Sequence, residues 1–375
     1  MINIAYVIDT VDSPNAGTEH QLLETIRRLD RSHFTPHLIC LRPSDWLAQT
    51  SLPCDVEVLN LRSFLSLQTF REQRRFVGYC RTRRIDIIQS FFRDSNLAGT
   101  LWGRMAGVPV IIASRRNIGT GYWHNRKEVA ILRFLRLFTT QWIANSRAAA
   151  DEAIMVEKAD PHRVRVIPNG LDIDRFGRPT DDELAGTRRR WGLGPEHVVV
   201  GAVANLRPVK NLTFLIRVAS QMCPSHSNLR FVVLGEGPQR PELEKLIARH
   251  DLTGVFLLPG KSSTVAQDLY SFDIAVLCSK GESLSNSLME YCAAERPAVA
   301  SDVGGNAEVL DSPEVGMVYP PDDIDCFRQA LASLMEDPAR AAAIGRAARR
   351  SVAERYSFQA VLGQVEGLYR ALVRK

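Results

Sequence analysis

Ile274-Ala275-Val276-Leu277 is an uninterrupted apolar run, and Cys278-Ser279-Lys280-Gly281-Glu282-Ser283-Leu284-Ser285 is a polar loop. Asn286-Ser287-Leu288-Met289-Glu290 then opens a helical pattern, and Ala298-Val299-Ala300 is apolar again after the turn Arg296-Pro297. A strand, a loop, a helix of about Ser287 to Ala294 and a second strand are the repeating unit of a doubly wound parallel sheet. Strands covered on both faces read as uniform apolar runs, as these two do. Ser285 or Asn286 is the natural N-cap, so backbone N–H groups and a positive dipole end point above the sheet. That arrangement suits a phosphate. Glu290 lies one turn inside the helix and Glu282 precedes the loop, so carboxylates flank the anion-binding position. The plainer reading is a capping loop beside a surface glutamate.

The same unit recurs in both directions. Strands are expected at Ile2–Ile8, His37–Leu41, Val56–Leu61, Ile85–Gln89, Pro109–Ala113, Trp142–Asn145 and Arg163–Ile167 in the first half. In the second they are expected at Val198–Val203, Arg230–Leu234, Val255–Leu258, Ile274–Leu277, Ala298–Ala300 and Gly316–Val318. Two series imply an α/β protein of two Rossmann-like domains. Strand signals lapse after Pro168-Asn169-Gly170, giving expected domains of 1–172 and 173–355, with a final helix, 356–375, crossing back to the first. Facing domains would put a cleft between the carboxyl ends of their strands, where ligands bind in such folds.

The bulk composition agrees. The chain has 375 residues, 45% hydrophobic and 24% charged, the balance of a globular protein. Apolar runs are broken by charge well short of the ~18 residues of a membrane-spanning helix. The N-terminus reads as a buried strand, not a secretion signal. Seven cysteines without a Cys-x-x-Cys pair point away from a disulfide framework or zinc site, and to a cytoplasmic protein. Residues 1–172 hold 23 Lys/Arg against 17 Asp/Glu, the remainder 24 against 25. The surplus positive charge marks the first domain as a face for an anionic partner, or as ordinary arginine-rich surface.

Five motifs in order carry a resemblance. Ala16-Gly17-Thr18-Glu19 opens the first helix, and Pro168-Asn169-Gly170-Leu171-Asp172 precedes the linker. Ala204-Asn205-Leu206-Arg207-Pro208-Val209-Lys210-Asn211 follows the first strand of the second half. Leu234-Gly235-Glu236-Gly237-Pro238 follows another, and Glu282–Glu308 contains Val303-Gly304-Gly305. Together these resemble the family-four retaining glycosyltransferases of the GT-B fold, whose donor segment carries an E-x7-E pattern. The resemblance implies transfer of a sugar from a nucleoside-diphosphate sugar, with no cofactor and no metal. It implies Glu290 on the donor ribose and Glu282 on the transferred sugar. Leu284, Ser285, Asn286 and Ser287 would hold the sugar and diphosphate, with Gly17 approaching from the first domain. Lys210 and Arg207 would neutralise the leaving diphosphate. The reaction would retain anomeric configuration, the leaving phosphate oxygen taking the acceptor proton.

The chain departs from the family in two places. Many relatives have an arginine where this chain has Asn205, and Arg207 stands two residues later. Many carry a histidine after the strand Pro109–Ala113, where this chain has Ser114-Arg115-Arg116-Asn117. Arginines at a strand end suit a phosphate or carboxylate, so Arg115, Arg116 and Asn117 are expected to bind an anionic acceptor. His124, in Thr120-Gly121-Tyr122-Trp123-His124, is read as part of a lid rather than a base. The D-x-D triplets Asp172-Ile173-Asp174 and Asp323-Ile324-Asp325 are set aside as metal sites. Gly235-Glu236-Gly237 lacks the third glycine of a dinucleotide fingerprint, since Arg240 stands there.

Two basic amphipathic stretches, about Leu65–Cys80 and Arg126–Phe138, suit either packed helices with charged outer faces or contact with an anionic membrane. The second sets Val129, Leu132, Leu135 and Leu137-Phe138 beside Arg126, Lys127, Arg133 and Arg136. The expected partners are a nucleotide sugar and a sugar or lipid-linked glycan of bacterial surface polysaccharide, with peripheral contact at the inner membrane face and no nucleic acid. A sugar-nucleotide epimerase and a glycogen-type phosphorylase share the fold. A non-catalytic nucleotide-binding partner would bind donor without turning it over.

Overall fold

The computed structural model describes residues 1–14, 17–118 and 126–374. They form two compact units, Met1–Gly170 with Gln359–Lys375, and Leu171–Phe358. The first holds strands β1 (Ile2–Ile8), β2 (Phe34–Cys40), β3 (Asp55–Val58), β4 (Ile87–Ser90), β5 (Val110–Arg115), β6 (Gln141–Ala144) and β7 (Val164–Val166). The second holds β8 (Val198–Val203), β9 (Leu229–Leu234), β10 (Phe256–Gly260), β11 (Ile274–Leu277), β12 (Ala298–Ser301) and β13 (Met317–Tyr319). Every pairing is parallel, in the orders β3-β2-β1-β4-β5-β6-β7 and β10-β9-β8-β11-β12-β13. Both expected series of strands are present, with ends shifted by a few residues.

The central strands β4, β11 and β12 are buried at every position. The edge strand β3 is short and half-exposed and carries Asp55 and Glu57, which blunts a free edge. In each sheet the order reverses, between β1 and β4 and between β8 and β11. A reversal of strand order is the usual ligand position of such sheets, because the loops leaving the two strands run in opposite directions.

The last helix, Phe358–Val373, belongs to the first unit. Its Val361, Val365 and Tyr369 share a core with Ile4, Tyr6, Leu22 and Phe34. The Tyr369 hydroxyl bonds to Gln89 and lies 3.3 Å from that of Tyr6. The break between units falls at Gly170/Leu171, two residues before the expected one. All seven cysteines are free thiols.

Candidate functional site

The β11 loop ends on the helix Asn286–Ala293, with Ser285 as N-cap accepting from the Leu288 N–H. Tyr291, one turn in, accepts from the Val203 N–H at 2.7 Å and returns a bond to the Val203 carbonyl. One side chain thus fixes the helix against the end of β8, across the reversal of strand order. Leu284 and Ser285 are buried, while Asn286, Ser287 and Glu290 are half-buried. The first N–H groups of the helix therefore lie where the strand order reverses, next to side chains partly open to solvent.

The β8 loop comes to meet them. The Lys280 N–H donates to the Val209 carbonyl at 2.8 Å. Asn211, left-handed with φ 53°, ends the short turn Pro208–Lys210, and its amide donates to Asp322 at 2.9 Å. Asp322 is also left-handed, at φ 63°, and pairs with Lys280 at 3.4 Å. Two non-glycine residues in a sparsely populated conformation, bonded to each other, brace the turn that carries Lys210. Lys210 Nζ lies 2.5 Å from Glu282 Oε1, and the Ser279 hydroxyl donates to the same oxygen at 2.6 Å. No hydrogen bond reaches Glu282 Oε2 among the described residues. Arg207 is exposed, and Asn205 beside it is exposed as well.

Gly235 and Gly237 brace this loop from behind. A Cβ on Gly235 would fall 2.0 Å from the Ala204 carbonyl oxygen, and one on Gly237 2.5 Å from that of Leu206. The glycines serve loop-to-loop packing, and Arg240 pairs with Glu236 and Glu244. Beyond β12, Gly305 N–H donates to the Ser283 carbonyl and the Ser301 hydroxyl to that of Ser279. Three strand-end loops are thus tied into one rim.

Burial pushes the Glu290 carboxyl up from 4.5 to about 7, against the pull of the Arg175 guanidinium. Nothing local in the sequence marks Arg175, in the turn Ile173–Arg175, as approaching a helix far along the chain. Asp323 N-caps the helix Ile324–Glu336. No group of His, Cys, Asp or Glu among the described residues could hold a metal ion.

In the first unit the two arginines part ways. Arg115 does not present a free charge, contrary to expectation. Its Nε and Nη2 both reach Glu157, with side chains 13% and 6% exposed. A buried carboxylate needs such a partner. Arg116, the next residue, donates to Asn169 at 2.6 Å and lies over the Phe91 ring at 5.6 Å. No carboxylate pairs with it among the described residues. Burial lowers its pKa to about 10, so it stays charged at neutral pH. Asn117 is exposed. Gly17 starts the helix Gly17–Arg28 at the β1 end. Ala16 and residues 119–125, with His124, lie outside the described residues.

The helix expected at Arg126–Phe138 spans Arg126–Leu135. It buries Leu132 and Leu135, whereas Ile131, Phe134 and Leu137 are exposed. Leu137 is therefore not part of a packed face.

Two doubly wound parallel sheets, one bearing a helix start beside a lysine–glutamate pair and a second glutamate, define an α/β protein of two Rossmann-like units. The sequence profile of glycosyl transferases group 1 matches residues 187–351, and that of glycosyltransferase family 4 matches residues 16–175. The chain belongs to this family of glycosyltransferases. EpsF of Bacillus subtilis, named as a glycosyltransferase, is 26% identical over 96% of this chain and 94% of its own length. An Escherichia coli enzyme named UDP-Gal:alpha-D-GlcNAc-diphosphoundecaprenol alpha-1,3-galactosyltransferase is 22% identical over 86% and 85% of the two chains. Among solved structures, HepE of Anabaena in complex with UDP superposes with a TM-score of 0.86 at 19% identity, covering 99% and 100% of the chains. That likeness shows the GT-B fold.

Proposed function

We propose that the chain transfers a sugar, with retention and without a metal, from a nucleoside-diphosphate sugar to an anionic, membrane-borne acceptor in bacterial surface polysaccharide assembly. The observation that carries the donor half is the Lys210–Glu282 pair at 2.5 Å beside the open start of the helix Asn286–Ala293. Lys210 and the helix N–H groups stabilise the diphosphate as it leaves. Glu282 Oε2 accepts from a hydroxyl of the transferred sugar, and Glu290 accepts from the ribose diol. The bond from the sugar's anomeric carbon to the diphosphate breaks and the bond to the acceptor oxygen forms on the same face. The acceptor's proton passes to the leaving phosphate oxygen. HepE is described with UDP, and the Escherichia coli relative is named for a lipid-diphosphate acceptor, which supports this direction of the reading.

A thermal-shift screen over nucleotide sugars tests the donor half, since a bound donor raises stability by mass action. The anomeric configuration of the product, read by NMR coupling constants, tests retention. No melting shift with any nucleotide sugar would overturn the reading. A nucleotide sugar that binds and releases free nucleotide with no acceptor present would favour an epimerase. Transfer should persist in excess EDTA. Activity that vanishes there and returns with magnesium or manganese would refute the metal-free site.

Glu290 gives a prediction with a sign. The unfolded carboxyl titrates near 4.5 and the folded one near 7, so the fold binds the extra proton between these values. Its contribution to stability is present below pH 4.5 and is lost as pH rises through 7. Glu290→Gln, which cannot ionise, should stabilise the ligand-free protein at pH 8 by ~1–3 kcal/mol and much less at pH 5. The same change should weaken a nucleotide sugar by ~1–3 kcal/mol, the loss of hydrogen bonds to a charged group. Affinity in the unaltered protein should rise between pH 6 and pH 8, where this carboxyl ionises, and the slope should vanish in Glu290→Gln. Calorimetry at several pH values reads both, and a slope that survives the substitution would remove Glu290 from the ribose.

A further inference from the structure

From Leu59 to Arg84 the first unit carries seven arginines against a single acid, Glu72. That acid is buried and already paired with Arg75, which also holds Glu57. Arg62, Arg71 and Arg74 are exposed, and no carboxylate pairs with them among the described residues. Between them stand three large apolar side chains turned to solvent: Leu65 is 98% exposed, Leu67 89% and Phe70 65%. Phe64, by contrast, is turned inward against the Trp102 ring at 5.9 Å. The segment is folded on itself. Gln68 donates to the Asn60 carbonyl at 2.8 Å, the Leu65 N–H to the Ser63 hydroxyl at 3.2 Å, and the Thr69 N–H to the Ser66 carbonyl at 3.0 Å. Local hydrogen bonds thus hold the segment while Leu65 and Leu67 stay out of the core.

A lone exposed leucine needs no explanation, but three large apolar side chains within six positions, framed by unpaired arginines, mark an interaction surface. We infer that the Arg62–Arg74 segment is a wedge that docks the first unit on an anionic phospholipid bilayer. Leu65, Leu67 and Phe70 enter the boundary between headgroups and acyl chains, and Arg62, Arg71 and Arg74 take lipid phosphates. Charge complementarity selects this occupant. A second copy of the chain docking the same patch on itself would set the two arginine clusters face to face. The other exposed apolar set, Ile131, Phe134 and Leu137, is less suited, because the Arg133 guanidinium is tied down to the Val156 carbonyl at 2.9 Å.

The inference deepens the proposed membrane-borne acceptor and is tested apart from it. The full-length protein is co-sedimented with vesicles of phosphatidylcholine alone and with 30% phosphatidylglycerol, a composition whose surface potential attracts juxtamembrane cations, at a salt level of about 0.05 M and again at about 0.5 M. Nucleotide-sugar binding and chain mass in solution are measured in parallel. Binding is expected only to the anionic vesicles and is expected to weaken at high salt. It should weaken about tenfold in Leu65→Ser/Leu67→Ser/Phe70→Ser, and about as much in Arg62→Ala/Arg71→Ala/Arg74→Ala. Both variants alter exposed side chains, so nucleotide-sugar binding should stay as in the unaltered chain. Failure to bind anionic vesicles overturns the inference while leaving the donor chemistry standing. So does loss of binding in Ile131→Ser/Phe134→Ser but not in the wedge variants. A dimer that the serine variant dissociates, with no vesicle binding, assigns the patch to a second copy instead.

Discussion

Lys210→Ala should lower kcat/KM for transfer by roughly 10²–10³, about 2.7–4 kcal/mol, the range seen when one fixed donor to a developing anion is removed. The turn that holds this lysine is rigid: Pro208 opens it, left-handed Asn211 closes it, and the Val209 carbonyl is held by the Lys280 N–H. In the structure the ammonium rests on Glu282. A diphosphate must therefore share that charge with the carboxylate or draw it away. Glu282→Gln should accordingly leave nucleoside-diphosphate affinity equal or tighter while transfer still falls, because the sugar loses its acceptor oxygen. Lys210→Ala should weaken the diphosphate far more than the nucleoside. Arg207→Ala should follow the same pattern to a smaller degree, since its side chain is exposed. Steady-state kinetics with calorimetry on nucleoside and nucleoside diphosphate separate these outcomes. A folded Lys210→Ala that keeps its kcat/KM would remove the lysine from the mechanism. An equal loss for both ligands would place it on the base or ribose.

The two sheets were legible because doubly covered strands leave short uniform apolar runs, such as Ile274–Leu277 and Val198–Val203, set at regular intervals between helical patterns. The signal of β2 begins at His37 in the sequence, because Thr35-Pro36 interrupts the apolar run; in the fold Phe34 already opens the strand. The donor rim was legible where its chemistry is local: the Ser285 cap, the helix start and the spacing of Glu282 and Glu290 lie within one strand–loop–helix passage. Contacts across sequence were not. Nothing in the text of the chain says that Ser279 and Lys210 share one oxygen of Glu282, or that Asn211 reaches Asp322. The arginine pair shows the limit most plainly. Successive residues leaving a strand point to opposite faces, so Arg115 meets Glu157 and Asn96 while Arg116 meets Phe91 and Asn169. The sequence shows two equal cations, and only packing distinguishes the spent one from the available one.

That distinction sets opposite expectations for adjacent alanines. Arg115→Ala should cost about 3–5 kcal/mol of stability, because it strands a buried carboxylate. Among the described residues Glu157 would keep the Trp142 indole N–H, at 3.4 Å. Adding Glu157→Ala should recover much of the loss, since the stranded charge goes with it, and a double-mutant cycle by urea unfolding measures the coupling. Arg116→Ala should change stability little. It gives up one bond to Asn169 and the Phe91 ring face, and leaves no carboxylate unpaired among the described residues. Its effect should fall on the acceptor: KM for an acceptor bearing a phosphate or diphosphate should rise about ten- to a hundredfold, the worth of ~1.5–3 kcal/mol for a hydrogen bond to a charged group. Donor affinity should be unchanged, and a neutral sugar acceptor should not register the loss. Arg116→Lys should recover only part of it, because a single ammonium cannot bond Asn169 and grip two phosphate oxygens as a planar fork can. If instead Arg116→Ala unfolds the unit, or Arg115→Ala leaves stability intact and impairs only the anionic acceptor, the two arginines have been assigned the wrong way round.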